Sequence, residues 1–581
     1  MTPRQRLWHY VAPYKRLLVL GIGCVLVANV GRMLGPIVLR DAIDDLTAGI
    51  TQSKLLWYGG AFVGISAVVG IFIFLQKRLI PNVARSSEYD LANDFYAHLQ
   101  KLPMEFYQSS RTGDLMSRAI SDLAAVRMVV GGALMSAVNA IFAVALILPL
   151  MLQLDWRLTL LAMLPLPLVS LTTRIISKHV HEESTRVQEH FGTVANRVQE
   201  SLAGVRVIRS YVQEDAELAN FKSVNAELVR RNVRLIHLNS FFSPVVNFMV
   251  GLALVAGVWY GGLLTLQGRL TIGQLVQFTL YIDLLITPML QLGMIINYYQ
   301  RGMASMKRLH DVMSLEPGIA DSAAVEEAAE IKGEIEFCDL TFTYPGESEP
   351  ALKDINLRIQ SGQTVAFVGN VGSGKSTLVS LVARLIDAEP GQIRIDGRPI
   401  QTIPLRKLRA AIGFVPQETF LFSETIAANI AFGDQHAGAK EIERAALEAG
   451  LAEDIEEEFP DKYETEVGER GITLSGGQKQ RTTLARALIR RPRILILDDS
   501  LSAVDTHTEA KILKHLKRLF SGRTTLIVSH RISTIKDADL IVVLEDGCIT
   551  ERGTHNELVA KGGQYARLYE KQQLEQELTA A

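Results

Sequence analysis

The sequence has very little cysteine and no excess of charge of either sign. Its three cysteines, Cys24, Cys338 and Cys548, are scattered over 581 residues without the spacing of a disulfide framework or a metal site, so we expect them to serve in packing. Lys and Arg number 60 against 62 Asp and Glu, a net charge of -2, which argues against nucleic acid as a partner. No small-residue cleavage site follows the basic N-terminus, so the first apolar stretch is predicted to be retained.

Apolar residues, by contrast, are abundant and unevenly distributed. Hydrophobic residues make up 48% of the chain and the mean hydropathy is +0.17, with the excess before residue 300. A chain of this length is too long for one core, so two or more domains are expected. Crossing a bilayer takes about 20 residues. Six charge-poor stretches are predicted to cross it: 17–39, 55–76, 129–154, 158–173, 241–266 and 271–297.

The charges between these stretches predict their orientation. Residues 155–157 and 267–270 form short turns that should face one side, while long charged segments of helical composition should project from the other. Asp41, Asp44 and Asp45 follow the first stretch. The positive-inside rule therefore puts the N-terminus and the long loops in the cytoplasm. The basic residues that carry this argument are Arg4, Arg6, Lys15, Arg16, Lys77, Arg78 and Arg174.

The second half of the chain carries a nucleotide site. Residues 369–376 match the P-loop template, whose backbone amides and helix N-terminus cradle phosphates. An apolar run at 364–368 is predicted to be the strand before this loop, and a second run at 494–497 ends in Asp498. Lys375 is expected to reach the β- and γ-phosphates of ATP, and Ser376 and Asp498 are expected to anchor Mg²⁺.

A further motif narrows the class of nucleotide protein. Residues 474–478 read Leu-Ser-Gly-Gly-Gln and lie between the P-loop and Asp498. With the six spans, this combination resembles the ATP-binding-cassette (ABC) family, and in particular a half-transporter of the type I (type IV) exporters. The resemblance covers essentially the whole chain. It implies an all-α six-helix transmembrane domain at 1–312, a linker at 313–332 and an α/β P-loop nucleotide-binding domain at 333–581, in a bacterial inner membrane with the nucleotide-binding domain in the cytoplasm.

The resemblance also implies roles for individual residues. It assigns Tyr344 to adenine, Gln417 to sensing metal and γ-phosphate, His530 to the switch position and Asp505 to the dimer interface. Mg²⁺ would be held by Ser376, Gln417 and Asp498. The predicted ATP-binding residues are Tyr344, Gly369, Asn370, Val371, Gly372, Ser373, Gly374, Lys375, Ser376 and Thr377. The predicted signature residues, which would contact ATP from across a dimer interface, are Leu474, Ser475, Gly476, Gly477 and Gln478.

Three cytoplasmic stretches also match exporters of this family. Residues 106–118 and 199–211 correspond to loops whose short coupling helices rest on the nucleotide-binding domains. The alternative is an ordinary solvated helical loop. Residues 465–471, Thr-Glu-Val-Gly-Glu-Arg-Gly, match a stretch positioned to touch the opposing loops.

One residue departs from the family pattern. Asp499 stands where the family usually has a catalytic glutamate, and aspartate is one methylene shorter. A general base must lie within hydrogen-bond reach of the attacking water, so the ATP site of this chain is predicted to be slow. Some heterodimeric multidrug exporters pair such a half with a glutamate-bearing sibling, and this chain resembles that half. A homodimer with a slow but working base remains the alternative.

The sequence defines the transported substrate less closely than it defines the nucleotide site. Arg32 in the first span and Asp283 in the sixth are costly in hydrocarbon, so each should face a watery cavity or a partner. The two residues are either part of a substrate cavity or a structural pair, or Arg32 lies close enough to the membrane interface for its side chain to reach water. The resemblance implies ATP-driven export of small hydrophobic or amphipathic substrates, of multidrug or lipid type, across the lipid bilayer. The alternatives are a regulatory or channel-like subunit gated by ATP binding and a homodimeric lipid or peptide exporter.

Overall fold

The computed structural model of the chain describes residues 1–321, 330–468, 471–499 and 522–580. Its backbone contacts divide the chain into two compact units. The helical unit consists of Met1–Gln100 and Ser110–Leu315, and the sheet unit consists of Lys101–Ser109 and Glu316–Ala581. The short segment Lys101–Ser109, which the sequence assigns to the transmembrane domain, therefore groups with the sheet unit.

Long helices dominate the first 315 residues. Two π-helical segments, Arg118–Asp122 and Val129–Ala133, interrupt the helical stretch that leads into the third predicted span. In chain order the described helices are α1 Pro3–Val11, α2 Lys15–Ala48, α3 Gln52–Leu99, α4 Met104–Ser109, α5 Thr112–Ser117, α6 Leu123–Met128, α7 Leu134–Leu154, α8 Trp156–Met163, α9 Pro165–Ala203, α10 Val205–Ser210, α11 Glu214–Ser240, α12 Phe242–Leu266 and α13 Ile272–Met313.

Five helical stretches of the described chain are long and apolar enough to cross a membrane. They lie within Pro3–Ala48, Gln52–Leu99, Thr112–Leu154, Asn247–Leu266 and Ile272–Met313. The fourth predicted span, 158–173, falls on α8 and the start of α9, where several side chains lie outside the described set. The total of six spans therefore stays a prediction.

Local sequence explains where some of these helices begin. At the turn before α8, the side chain of Asp155 accepts a hydrogen bond from the amide of Leu158 at 2.8 Å. At the turn before α13, Thr271 and Gln274 form a reciprocal capping box. Capping satisfies amides that a helix start leaves without partners, so both short turns predicted from the sequence are also helix start sites.

Polar contacts tie the long helices together. Asn29 on α2 donates to the side chain of Asn139 on α7 at 2.9 Å, and the hydroxyl of Tyr281 on α13 donates to the carbonyl of Met33 on α2 at 3.2 Å. Asn29 and Tyr281 are buried. A buried polar group without a partner is costly, so these bonds favour one particular arrangement of α2, α7 and α13.

The sheet unit contains ten described strands in two sheets. The four-stranded antiparallel sheet has the order β2-β1-β4-β5, and the six-stranded sheet has the order β10-β9-β3-β8-β7-β6. The central strands of the larger sheet run parallel. The strands are β1 Ile335–Phe342, β2 Leu352–Ile359, β3 Thr364–Val368, β4 Ile393–Ile395, β5 Arg398–Pro399, β6 Ile412–Val415, β7 Ile494–Asp498, β8 Thr524–Val528, β9 Leu540–Glu545 and β10 Cys548–Gly553.

Helices cover the larger sheet and bury its strands. Every residue of β3, β7 and β8 is buried, as expected for parallel strands covered on both faces. The described helices of this part are α14 Lys375–Val382, α15 Leu405–Ala411, α16 Ile426–Ala431, α17 Ala439–Glu448, α18 Ala452–Glu457, α19 Gly476–Leu488, α20 Ile532–Ile535, α21 His555–Lys561 and α22 Gln564–Ala580. This arrangement leaves the carboxyl ends of the parallel strands as the place for a site.

Candidate ATP site

The order of the parallel strands brings distant motifs to one edge of the sheet. β3 pairs with β8, β8 with β7, and β7 with β6, all in parallel. Their carboxyl ends therefore lie side by side, and each is followed by a predicted site residue. The P-loop follows β3, Gln417 follows β6, Asp499 follows β7 and His530 follows β8.

The P-loop after β3 depends on glycine at two positions. A Cβ on Gly369 would lie 2.1 Å from the carbonyl oxygen of Leu544, which is too close for any other residue. Gly374 has a left-handed φ of 93° directly before α14, and a Cβ there would lie 2.7 Å from the carbonyl oxygen of Ala351. Only glycine allows this backbone path. The loop therefore presents backbone amides and the α14 N-terminus, a combination that suits phosphate.

The Lys375 side chain lies within this loop. Its Nζ donates to the carbonyl oxygens of Gly369 at 3.0 Å and Asn370 at 2.7 Å, and to the hydroxyl of Ser373 at 3.3 Å. Burial lowers the pKa of Lys375, while the nearby carboxylates of Asp498 and Asp499 oppose that shift. The ammonium group is thus held among oxygen acceptors at the loop. Asn370, Val371 and Gly372 form the exposed outer part of the loop, and Thr377 is buried below it.

Two residues predicted to bind Mg²⁺ are in contact. Ser376 Oγ donates to Asp498 Oδ1 at 2.9 Å. Burial raises the pKa of Asp498, and the bond from Ser376 opposes the rise. Within the described ranges, no group of three or more His, Cys, Asp or Glu side chains is arranged to hold a metal ion by itself. The hydroxyl and carboxylate oxygens nonetheless fit Mg²⁺, which usually takes one or two carboxylates together with phosphate oxygens and water.

Asp499 has a tightly specified backbone. Its φ is 44°, in the left-handed region where Asp is one of the more tolerated residues. Its amide donates to the carbonyl of Val528 at 2.8 Å, one residue beyond the last parallel pair, Asp498 with Val528. The backbone at the end of β7 is therefore hydrogen-bonded to β8. This bond sets the position of the Asp499 Cα, from which the half-buried side chain extends.

His530 lies on the neighbouring strand end and is half-buried. Its carbonyl oxygen accepts a hydrogen bond from Gln572 Nε2, and Gln572 Oε1 accepts the amide of Ile532 at 2.9 Å. Gln572 lies on the C-terminal helix α22, so one side chain holds the backbone on both sides of Arg531. Sequence reasoning missed this residue because its sequence neighbourhood carries no motif and the contact spans 42 positions.

Tyr344 and Gln417 occupy different surroundings. The Tyr344 hydroxyl lies 3.0 Å from Thr377 Oγ1, and its ring meets Phe342 edge to face at 5.0 Å. The half-buried tyrosine is therefore linked to the first turn of α14, close to the loop that it is predicted to serve. Gln417 lies exposed beyond the end of β6.

The signature motif lies at the start of α19. Ser475 is the N-cap, with its hydroxyl accepting the amide of Gln478 at 3.3 Å, and Gln478 Oε1 accepts the amide of Ser475 at 2.9 Å. Gln478 Nε2 also donates to Glu458 at 2.6 Å, so this side chain is engaged within the chain. Leu474 is buried, whereas Ser475 and Gly476 are exposed and Gly477 is half-buried. The exposed helix start can accept an anion from another molecule.

The remaining predicted residues are distributed as follows. Asp505, with residues 502–504, and the Glu469-Arg470 part of the exporter stretch lie outside the described residues. The two predicted coupling segments contain short helices, α4 and α5 in the first and α10 in the second. Arg32 and Asp283 line one cavity in the helical unit.

Comparison with known proteins agrees with this architecture. Residues 18–289 match the family model described as "ABC transporter transmembrane region", and residues 352–502 match the family model described as "ABC transporter". A probable multidrug resistance ABC transporter ATP-binding/permease protein, YheI of Bacillus subtilis, is 40% identical over 98% of this chain and 97% of its own length. An ATP-dependent lipid A-core flippase of Syntrophus aciditrophicus is 34% identical, covering 98% and 94%.

A solved structure shares the whole fold. The ATP-bound structure of a bacterial Atm1-family ABC exporter superposes with a TM-score of 0.79 at 30% identity, covering 96% of this chain and 99% of the other. The predicted fold class, a helical transmembrane domain followed by an α/β nucleotide-binding domain, is confirmed. The chain therefore belongs to the ABC transporter family, as a multi-pass exporter of the bacterial inner membrane that couples ATP hydrolysis in a cytoplasmic domain to transport.

Proposed function

We propose that this chain is the aspartate-bearing half of a heterodimeric exporter of hydrophobic or amphipathic substrates. ABC exporters act as dimers on membrane-embedded substrates. In the proposed complex the sibling chain supplies a catalytic glutamate, and the ATP site built on this chain's own P-loop is the slow one. The YheI protein, described as a probable multidrug resistance transporter, supports a multidrug-type cargo, and the flippases support a lipid-type cargo.

The backbone geometry of Asp499 is the observation that carries this proposal. The bond from its amide to Val528 holds the backbone at the end of β7, and the length of the side chain then sets how far the carboxylate reaches. The missing methylene therefore withdraws the carboxylate by roughly an ångström. A misplacement of that size costs on the order of a hundredfold in rate.

The other residues of this chain would bind ATP normally. Lys375 and the amides of the P-loop would hold the phosphates, and Tyr344 would stack on adenine. Ser376, Asp498 and Gln417 would hold Mg²⁺, which neutralises charge on the phosphate oxygens when bound. His530, held through its backbone by Gln572, would contact the γ-phosphate region.

The signature motif would serve the sibling's site. Ser475 and Gly477 at the start of α19 would approach the γ-phosphate of ATP bound to the opposite chain. The exposure of Ser475 supports this, because a group that works across an interface must be accessible in the isolated chain. Asp505 would lie at the same interface, and residues 106–118 and 199–211 would carry closure to the spans.

The subunit composition is tested by purification. The tagged chain is extracted from its native membrane in mild detergent, and the copurifying proteins are identified by mass spectrometry. We expect a second ABC half-transporter in equal amount, with glutamate at the position of Asp499. Recovery of this chain alone as a dimer would contradict the heterodimer.

The slow site is tested by lengthening the carboxylate. Asp499→Glu is expected to raise ATP hydrolysis at this chain's own site by about tenfold to a hundredfold. Vanadate trapping should then retain nucleotide at two sites per complex instead of one. Asp546→Glu is the matched control, because Asp546 is exposed and has the same left-handed backbone, with φ 47°. Equal hydrolysis in wild type and Asp499→Glu would remove Asp499 as the limiting group.

A further inference from the structure

The helical unit contains a cavity that is lined by both charged residues of the predicted spans. It has a volume of about 430 Å³ and lies among α2, α3 and α13. Arg32 and Asp283 both line it, from α2 and α13 respectively. Apart from these two and Ser66, its walls consist of apolar side chains and glycines, such as Phe62 and Val69 on α3.

The two charges lie at a similar depth in the membrane. α2 and α13 are joined near their outer ends, where Asp44 accepts the amide of Gly273 at 2.8 Å. At 1.5 Å per residue, Arg32 lies about 18 Å along α2 from Asp44, and Asp283 lies about 15 Å along α13 from Gly273. A hydrocarbon core is about 30 Å thick. Counted from the ends of the predicted spans at residues 39 and 271, Arg32 lies about 10 Å and Asp283 about 18 Å inside, so both charges lie within the hydrocarbon core.

Neither Arg32 nor Asp283 has a hydrogen-bond or ion-pair partner in the described part of the chain. Arg32 is half-buried and Asp283 is exposed toward the cavity side of α13. A charge without a counter-charge in hydrocarbon is costly, so each side chain favours a ligand group of the opposite sign.

We propose that this cavity binds a zwitterionic amphiphile, with its anionic group at Arg32, its cationic group at Asp283 and its hydrocarbon part against α3. This inference rests on the proposed export function. A ligand that carried only a positive charge would leave Arg32 uncompensated, and one that carried only a negative charge would leave Asp283 uncompensated. The apolar walls suit an alkyl or aromatic body, and the volume lies in the range of small-molecule sites.

The charge requirement is tested with three amphiphiles that share one alkyl chain. Hexadecylphosphocholine is zwitterionic, hexadecyltrimethylammonium is cationic and hexadecyl phosphate is anionic. Each is titrated, below its micellar concentration, into the purified complex reconstituted in lipid bilayers, and the vanadate-sensitive ATPase rate is measured. We expect the zwitterion to stimulate at the lowest half-maximal concentration.

Single neutralising variants should separate the two ends of the ligand. Arg32→Gln should raise the half-maximal concentration of the zwitterion and the anion about tenfold, and Asp283→Asn should do the same for the zwitterion and the cation, because each loses one charge-assisted contact. Arg32→Lys and Asp283→Glu keep the charge and should largely restore the wild-type values. Arg157→Gln and Asp41→Asn change charges outside the cavity and serve as matched controls.

The source of the ligand is tested in a second arm. Fluorescent phosphatidylcholine in the same vesicles reports ATP-dependent movement between leaflets through its accessibility to dithionite. Movement that both cavity variants reduce would assign a membrane lipid, and stimulation by the soluble zwitterion without lipid movement would assign a non-lipid amphiphile. Both outcomes support the site.

Two results would overturn the inference. Equal half-maximal concentrations for the three amphiphiles in the wild type would show that the cavity does not distinguish ligands by their charge. An equal shift for all three probes in both variants would show that Arg32 and Asp283 act only in folding or in pairing with another chain. Absence of vanadate-sensitive ATPase in the wild type would instead contradict the export function itself.

Discussion

At the scale of single residues, the buried carboxylate of Asp498 destabilises the nucleotide-free protein when it is ionised, although the ionised form is the one that would bind Mg²⁺. It is buried at the end of β7, with Ser376 as a hydrogen-bond donor. Burial raises its pKa, so the folded protein binds the proton more tightly than the unfolded chain does. The protonated carboxyl contributes its full stabilisation below the pKa that it has in the unfolded chain. This contribution is lost as the pH rises through the pKa that it has in the folded protein. At neutral pH the ionised group is therefore a cost that Mg²⁺ would offset.

Asp498→Asn should remove the destabilisation that the ionised carboxylate causes at neutral pH. Asparagine keeps an acceptor for Ser376 and removes the buried charge, so the nucleotide-free protein should unfold at a higher temperature at pH 7, by about 2–4 °C for each kcal/mol regained. The gain over wild type should shrink as the pH falls toward the range in which Asp498 is protonated. Thermal unfolding at several pH values, with and without Mg²⁺ and ATP, measures both effects.

The control for this variant is Asp546→Asn, which removes an exposed carboxylate. It should leave the unfolding temperature and its pH dependence unchanged. In the presence of Mg²⁺ and ATP the wild type should gain stability and Asp498→Asn should not. A variant that binds Mg²⁺ and ATP as tightly as wild type would remove Asp498 from the metal site.

At this scale the sequence identifies candidate residues where chemistry depends on local spacing. The P-loop residues lie within one short motif, and the structure adds a contact between Ser376 and Asp498. Contacts between distant residues were not predictable in the same way. The Tyr344–Thr377 contact and the Gln572 bonds to the His530 loop depend on packing between elements. Their roles in the reaction stay predictions.

At the scale of elements, a close helix crossing joins α13 to the segment before the third span. Gly302 on α13 packs against the turn formed by Ala125 and Val129, where α6 meets the π-helical segment. A Cβ on Gly302 would lie 2.0 Å from Val129 Cγ2 and 2.8 Å from the carbonyl oxygen of Ala125. The backbones therefore approach more closely than any side chain at position 302 would allow.

Gly302→Ala is expected to force these helices apart. Overpacking of this kind costs about 1–3 kcal/mol, so the unfolding temperature in detergent should fall by several degrees. Stimulation of ATPase by transported amphiphiles should fall as well, because the crossing joins α13 to the helical stretch that leads into the third predicted span. Differential scanning fluorimetry and stimulated ATPase assays measure the two effects.

The matched control lies on the same helix. Apart from its chain neighbours and the backbone of its own helix, a Cβ on Gly293 would have no described heavy atom within 4 Å. Gly293→Ala should therefore raise stability slightly, by about 0.5–1 kcal/mol, because alanine is the better helix former. Equal losses in both variants would show that α13 needs flexibility at its glycines and would contradict the close crossing.

Element boundaries show a limit of the hydropathy pattern. The predicted spans at 17–39 and 55–76 correspond to helices Lys15–Ala48 and Gln52–Leu99, and the sixth span corresponds to Ile272–Met313. Low charge marks only the part of a helix that contacts lipid. The extensions are amphipathic or polar, and their helical form depends on packing against neighbouring helices. In contrast, β3 matches its predicted range 364–368, and β7 coincides with the apolar run 494–497 and Asp498, because buried parallel strands are apolar along nearly their whole length.

At the scale of the whole molecule, the proposed heterodimer predicts an order of severity for two variants. Ser475 would complete the productive site of the sibling, whereas Lys375 would belong to the slow site of this chain. Ser475→Ala should therefore reduce steady-state ATPase on the order of a hundredfold, the cost typical of losing a donor to developing charge. Lys375→Ala should reduce it much less. Rates are measured on the purified complex with one variant subunit.

Ser475 also caps α19, so loss of the cap needs its own control. Thr2 forms the same reciprocal capping box with Gln5 at the start of α1. Thr2→Ala should cost about 1 kcal/mol of stability with little effect on turnover. A larger loss of turnover in Lys375→Ala than in Ser475→Ala would count against the division of labour between two unequal sites.

The sequence by itself determined the chemical parts of this protein. Runs of apolar residues predict membrane spans, and the P-loop, the signature motif and Asp498 predict a nucleotide site. These features can be recognised from the sequence because each depends on residues that are close in the chain. Only the tertiary structure decided which distant parts meet. Strand order brings Asp499 beside Val528 and fixes the reach of its carboxylate, and helix packing puts Arg32 and Asp283 on one cavity. These contacts arise from the burial of whole elements, which no local pattern encodes.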